Sequence, residues 1–93
     1  MSQSVKVHIP ENIHFSKVDG ESVLLNTENG VFYGLDEIGT RIWELIAKYQ
    51  ETDSVIQQML KEYEVKEQKL KEDVDSLLDS LIKKGLIEKS EDS

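Results

Sequence analysis

The stretch VLLNTENGVFYGLDEIGTRIW, residues 23–43, decides the fold. Two apolar runs flank Asn29-Gly30, both of which tolerate positive φ, so the spacing predicts a β-hairpin. The second run, Val31-Phe32-Tyr33-Gly34-Leu35, carries no charge and no proline. A strand so bare either lies inside a sheet or leaves an edge for a partner. Its turn admits two registers, with Val31 opposite Glu28 or opposite Thr27. The Thr27 register is expected, because it sets Val23, Leu25, Val31, Tyr33 and Leu35 on one face.

Upstream, Ile13 to Val18 reads as a first core strand, joined through Asp19-Gly20 to a middle strand over Glu21 to Thr27. Before it, residues 1–12 form an arm. Val5, Val7 and Ile9 alternate with Lys6 and His8 until Pro10 ends the pattern. Such an arm can pair with this sheet or with another molecule. Downstream, Asp36 is the expected N-cap of a first helix, with Gly39 an awkward early residue. Its stripe is Leu35, Ile38, Ile42, Leu45, Ile46 and Tyr49, with Trp43 beside it. Thr52 or Asp53 is expected to cap a second helix, packed through Val55, Ile56, Met59, Leu60 and Tyr63. A third runs from about Lys66–Lys69 to Lys84 on Leu70, Val74, Leu77, Leu78, Leu81 and Ile82. Gly85 stops it, and Leu86 and Ile87 fold back.

The predicted class is α+β: a three-stranded antiparallel meander followed by three helices, winged-helix-like. The domain plan is an arm over 1–12, a single domain over 13–88 and a flexible tail over 89–93.

Composition narrows the chemistry. A net charge of −8 works against phosphate and anionic-membrane binding. There is no cysteine, which removes thiolate sites and thiol nucleophiles. No apolar run is long enough for a signal peptide or a membrane span, so the expected compartment is the cytoplasm. His8 and His14 lack metal-ligand spacing, and the carboxylates fall at caps and on helix surfaces. No nucleophile elbow or phosphate loop is present. We therefore expect no enzymatic activity, no metal and no cofactor.

Three binding readings remain. A winged-helix DNA-binding or transcriptional protein fits the helix count, but the segment KEQKLKEDVDSLLDSLIKKG has no net charge. A self-associating module would pair its own strand edges. A peptide binder would use Val31 to Leu35 as an open edge, with main-chain bonds supplying affinity and side-chain pockets specificity. From the residues alone, an open edge and one covered by Val5–Ile9 or Leu86–Lys89 are equally consistent.

The run LLNTENGVFYGLDEIGTRIWELI resembles the signature of PqqD-like proteins. Leu24, Leu25, Gly30, Phe32, Tyr33, Leu35, Asp36, Gly39, Ile42 and Trp43 occupy its landmarks. The closing stretch LKEDVDSLLDSLIKKGLI, residues 70–87, is similar to the family's last helix, so the resemblance covers about residues 13–88. It implies a RiPP recognition element, a domain that binds the leader segment of a ribosomally made precursor peptide and presents it to a modifying enzyme. The leader is then expected to add as a strand in the cleft between the third strand and third helix. Carried over, the peptide-binding positions are Val31, Phe32, Tyr33 and Gly34 on the strand, and Asp73, Leu77, Ser80, Leu81 and Lys84 on the helix. The implied partners are a leader peptide and a modifying enzyme such as a radical SAM enzyme or a leader peptidase. No nucleic acid or membrane partner is expected, and the chain is expected to be a monomer or weak dimer. Pyrroloquinoline quinone, lasso-peptide and thioether-peptide pathways all use such domains.

Overall fold

A computed structural model describes residues 5–90. Residues 1–4 of the expected arm and 91–93 of the expected tail lie outside the described residues. The elements are β1 (Val7–His8), β2 (Ile13–Val18), β3 (Glu21–Asn26), β4 (Phe32–Leu35), α1 (Glu37–Tyr49), α2 (Thr52–Glu62), α3 (Glu67–Lys83) and β5 (Glu88–Lys89). Strands β2, β3 and β4 form the antiparallel meander in that spatial order, and three helices follow it, as the sequence pattern predicts.

The hairpin register differs from both predicted ones. Ser22 faces Leu35, Leu24 faces Tyr33 and Leu25 faces Phe32. Asn26 N–H donates to the Val31 carbonyl at 2.9 Å, so the connection is a four-residue loop over 27–30. A shift of one residue exchanges the two faces of a strand. Leu24 is therefore fully buried, whereas Val23 is 44 % exposed. Tyr33 and Leu35 still face inward, opposite Leu24 and Ser22 rather than Val23 and Leu25.

The cause is Asn26, whose side chain is buried and fully engaged. Its Oδ1 accepts from the N–H groups of Glu28 (2.9 Å) and Asn29 (3.3 Å) and from Asn12 Nδ2 (2.8 Å), while its Nδ2 donates to the Gly85 carbonyl (3.2 Å). A buried amide is tolerated when its donors and acceptors are met. Hydrophobicity counts take no account of such a group, and this one sets the register.

The inner sheet face carries Phe15, Leu24, Tyr33 and Leu35 against the helices, with Phe15 stacked on buried Trp43 at 6.4 Å. Ser22 is also buried there, its hydroxyl 2.7 Å from that of Thr40. The core continues through Ile42, Leu45 and Ile46 of α1, Val55, Ile56 and Met59 of α2, and Leu70, Val74, Leu78 and Leu81 of α3. Asp36 caps α1 by accepting from Gly39 N–H at 2.8 Å. Gly39 suits this close approach, since a Cβ would lie 3.1 Å from Leu35 Cδ2 and 3.3 Å from Asp36 Oδ1, and those side chains would have to shift by a few tenths of an ångström.

One capping detail departs from expectation. Glu51, not Thr52 or Asp53, takes the N-cap position of α2. Thr52 is buried because its hydroxyl accepts from Val5 N–H at 3.0 Å. At the end of α3, Leu86 N–H donates back to Leu81 carbonyl at 2.9 Å, Gly85 has φ +74°, and Leu86 and Ile87 are buried. That is the predicted reversal.

The arm and the C-terminal segment pair with each other. β1 lies antiparallel to β5, with Val7 opposite Lys89 and His8 opposite Glu88. On its other side Val7 N–H donates to Gln50 carbonyl at 3.0 Å, and Thr52 N–H to Val5 carbonyl at 3.0 Å. Val7 is thereby sealed into the core. The two segments that had been candidates to cover β4 are thus engaged elsewhere.

Candidate functional site

Strand β4 is an edge of the three-stranded sheet, and among the described residues no strand pairs with its outer side. The bond from Asn26 N–H to Val31 carbonyl fixes which groups face out. In an antiparallel ladder the bonding direction alternates along a strand. Tyr33 and Leu35 therefore turn their main-chain groups toward β3, as Val31 does its carbonyl while its N–H donates to Asn29 Oδ1 at 2.9 Å, whereas Phe32 and Gly34 turn theirs away from it. An arriving strand meets those N–H and C=O groups.

A cavity of about 500 Å³ lies on the inner side of this edge. Its walls are Tyr33, Gly34 and Leu35 of β4, Asp36, Ile38, Gly39 and Ile42 around the start of α1, and Asp73 and Leu77 of α3. The Gly85 carbonyl bond to Asn26 places the C-terminal end of α3 near Val31. Asp73 and Leu77 lie near Gly34 and Asp36, so α3 runs alongside β4 in the opposite direction. Carboxylates of Asp36 and Asp73 stand at the end of the cleft nearest Leu35.

The expected site residues separate into groups. Tyr33, Gly34, Asp73 and Leu77 meet around one cavity. Val31 is half-buried at the start of the strand, and its carbonyl is taken by Asn26. Phe32 is 68 % exposed on the opposite face of the sheet, away from the helices. Ser80 is half-buried and Lys84 exposed at the end of α3; neither lines the cavity. Leu81 corrects the sequence reading, since it is 0 % exposed and belongs to the core. The helical stripe that carries Leu77 continues inward at Leu81, one turn later, beside the refolded Leu86, which is also buried.

Sequence reasoning missed the contribution of α1. Ile38 is 39 % exposed although it sits on the core stripe of that helix. Together with Ile42 it forms the wall of the cleft opposite α3. The visible signal was Asp36 followed by Gly39, a cap and a close approach beside a strand end.

The three lysines of α3 are paired with carboxylates of the same helix. Lys69 pairs with Asp73 at 3.0 Å, Lys71 with Glu67 at 3.3 Å and Lys83 with Asp79 at 3.1 Å. The Asp73 carboxylate raises the pKa of Lys69 above its ordinary value. A recognition helix needs cations free for phosphates, and these three are committed to carboxylates. Among the described residues no group of three or more His, Asp or Glu side chains is arranged to hold a metal ion. No helix among them is long and apolar enough to cross a membrane.

The family model for coenzyme PQQ synthesis protein D (PqqD) matches residues 21–87. The chain belongs to the PqqD family. This PqqD-family chain is also similar to a solved structure described as TbiB1 in complex with the TbiA(beta) leader peptide. The two share 30 % identity with a TM-score of 0.82, over 90 % of this chain and 98 % of that one. No curated protein matches it significantly in sequence. The match to PqqD spans β3 to Ile87, and so includes β4, α1 and α3, the three elements that build the cleft.

Proposed function

We propose that this chain is a non-catalytic adaptor that binds the leader segment of a ribosomally made precursor peptide and presents it to a modifying enzyme. The observation that carries the reading is the uncovered edge of β4 beside a preformed cavity, in a PqqD-family chain similar to a protein solved with its leader peptide. The leader adds as a strand to β4 and lies along α3, with residues 13–88 as the binding unit. Main-chain groups of Phe32 and Gly34 supply affinity, and Tyr33, Ile38 and Leu77 receive an inward side chain. Val31 and Ser80 flank this path. Lys84 faces an acidic leader residue at the far end of the cleft.

The alternating bond direction decides which substitution tests strand addition. Proline at Tyr33 removes an N–H that β3 uses, so it tests folding. Proline at Phe32 removes an N–H that faces the open edge. Phe32→Pro is therefore expected to abolish binding of a leader peptide encoded beside this chain while the protein stays folded. In an NMR titration the shifts should fall on residues 31–38 and 73–84. Unchanged affinity in a folded Phe32→Pro protein would refute strand addition. Lys84→Glu should weaken binding of acidic leaders, and the loss should shrink as salt rises.

A further inference from the structure

The edge of β4 is flanked by a second cavity, on the face of the sheet that the helices leave uncovered. Its volume is about 570 Å³, and Val18, Val23 and Gly34 form its apolar floor. Asp19, Glu21 and Asp36 stand around it, and no lysine or arginine does. Val18 is 70 % exposed and Val23 44 %. Gly34 opens the floor, because a Cβ there would meet nothing within 4 Å. Both cavities reach the same edge, at Gly34, Leu35 and Asp36.

Strand geometry connects the two. A residue on an added strand that lies level with Gly34 points to the same face as Gly34, whether the added strand runs parallel or antiparallel. Its two neighbours point inward, toward Tyr33 and Leu77. Adjacent strands are about 4.8 Å apart, so Val23, directly opposite Gly34, is two strands away. A side chain can cross that gap only because Gly34 has none of its own, and only a long one reaches Val23 and the carboxylates beyond.

The geometry points to a second specificity site for the peptide, built on this outer face, that takes an arginine or lysine level with Gly34. Its aliphatic stem lies over Gly34 toward Val23, and its charge reaches the carboxylates of Glu21 and Asp36. This inference rests on the strand-addition reading. It assigns the alternate residues of the peptide to a face that the cleft with α3 does not touch. The peptide class it selects has an apolar residue facing inward and a basic residue next to it facing out.

The test is selection of phage-displayed random linear peptides on the full chain, followed by titration of the selected sequences. The net charge of −8 favours basic peptides at every position, so the position of the basic residue is the readout. The expected consensus has arginine or lysine immediately beside a large apolar residue. Gly34→Leu should fill the floor without disturbing the fold, abolish the basic preference at that position alone, and cost the selected peptide about fivefold in affinity. Glu21→Arg, at an exposed position, should replace the basic preference by a neutral or acidic one. If the selected peptides show only the inward apolar residue, and both variants bind them as the parent does, the outer site is wrong while strand addition stands. If no peptide is selected that depends on the Phe32 N–H, strand addition fails and the outer site fails with it.

Discussion

Removing the Asn26 side chain tests the account of how the cleft is assembled. The amide ties three segments to β3: the approach to β2 through Asn12, the loop before β4 through Glu28 and Asn29, and the end of α3 through Gly85. Asn26→Ala deletes all four hydrogen bonds. Three of the released partners, the N–H groups of Glu28 and Asn29 and the Gly85 carbonyl, belong to exposed residues that water can reach. Each loss then sits near the low end of the usual range, about 0.5 kcal/mol, and the sum is about 2 kcal/mol. For a domain of this size that lowers Tm by about 10 °C, and lowers the urea midpoint by on the order of 1 M. Thr27→Ala is the matched control. It removes an exposed bond from the same loop to the Asn12 carbonyl, and should change stability by less than about 0.5 kcal/mol. Thermal melts followed by circular dichroism measure both. A melt for Asn26→Ala within about 2 °C of the parent would refute the claim that this amide holds the register of β4 and the position of α3.

Two further outcomes follow from the packing and the ion pairs. Leu81→Ala should cost about 2–5 kcal/mol in urea unfolding, whereas Ser80→Ala stays within about 0.5 kcal/mol, and equal effects would return Leu81 to the cleft. The Arg41 guanidinium bonds Glu62 at 2.6 and 2.7 Å and holds that carboxyl down to about 2. Because the folded value lies below the unfolded one, the Glu62 contribution to stability is complete above the unfolded pKa. It is lost as pH falls from there through about 2. Glu62→Gln should flatten the pH dependence of stability over that window, and parallel curves for the two proteins would exclude the contribution.

The sequence by itself determined every major element and its order. Apolar spacing of two in Ile13–Val18 and of three and four in Ile42–Ile46 and Leu70–Leu81 reports which face is buried, and faces are local properties of a strand or helix. Asp36, Gly85, and the Asp19-Gly20 pair marked boundaries because caps and turns depend on neighbouring residues alone. Three decisions belonged to the tertiary structure. The hairpin register turned on Asn26, which joins its own loop at Glu28 and Asn29 to Asn12 and Gly85, distant in the chain. The pairing of Val7 with Lys89 joined residues from opposite ends, a contact no local pattern encodes. That pairing occupied both segments capable of covering β4. Among the described residues the edge is open for that reason, and the uncharged run Val31 to Leu35 borders an inner cavity completed by Ile38 and Leu77. Exposure of an edge depends on where all the other segments go, so it was legible only once the whole chain had been placed.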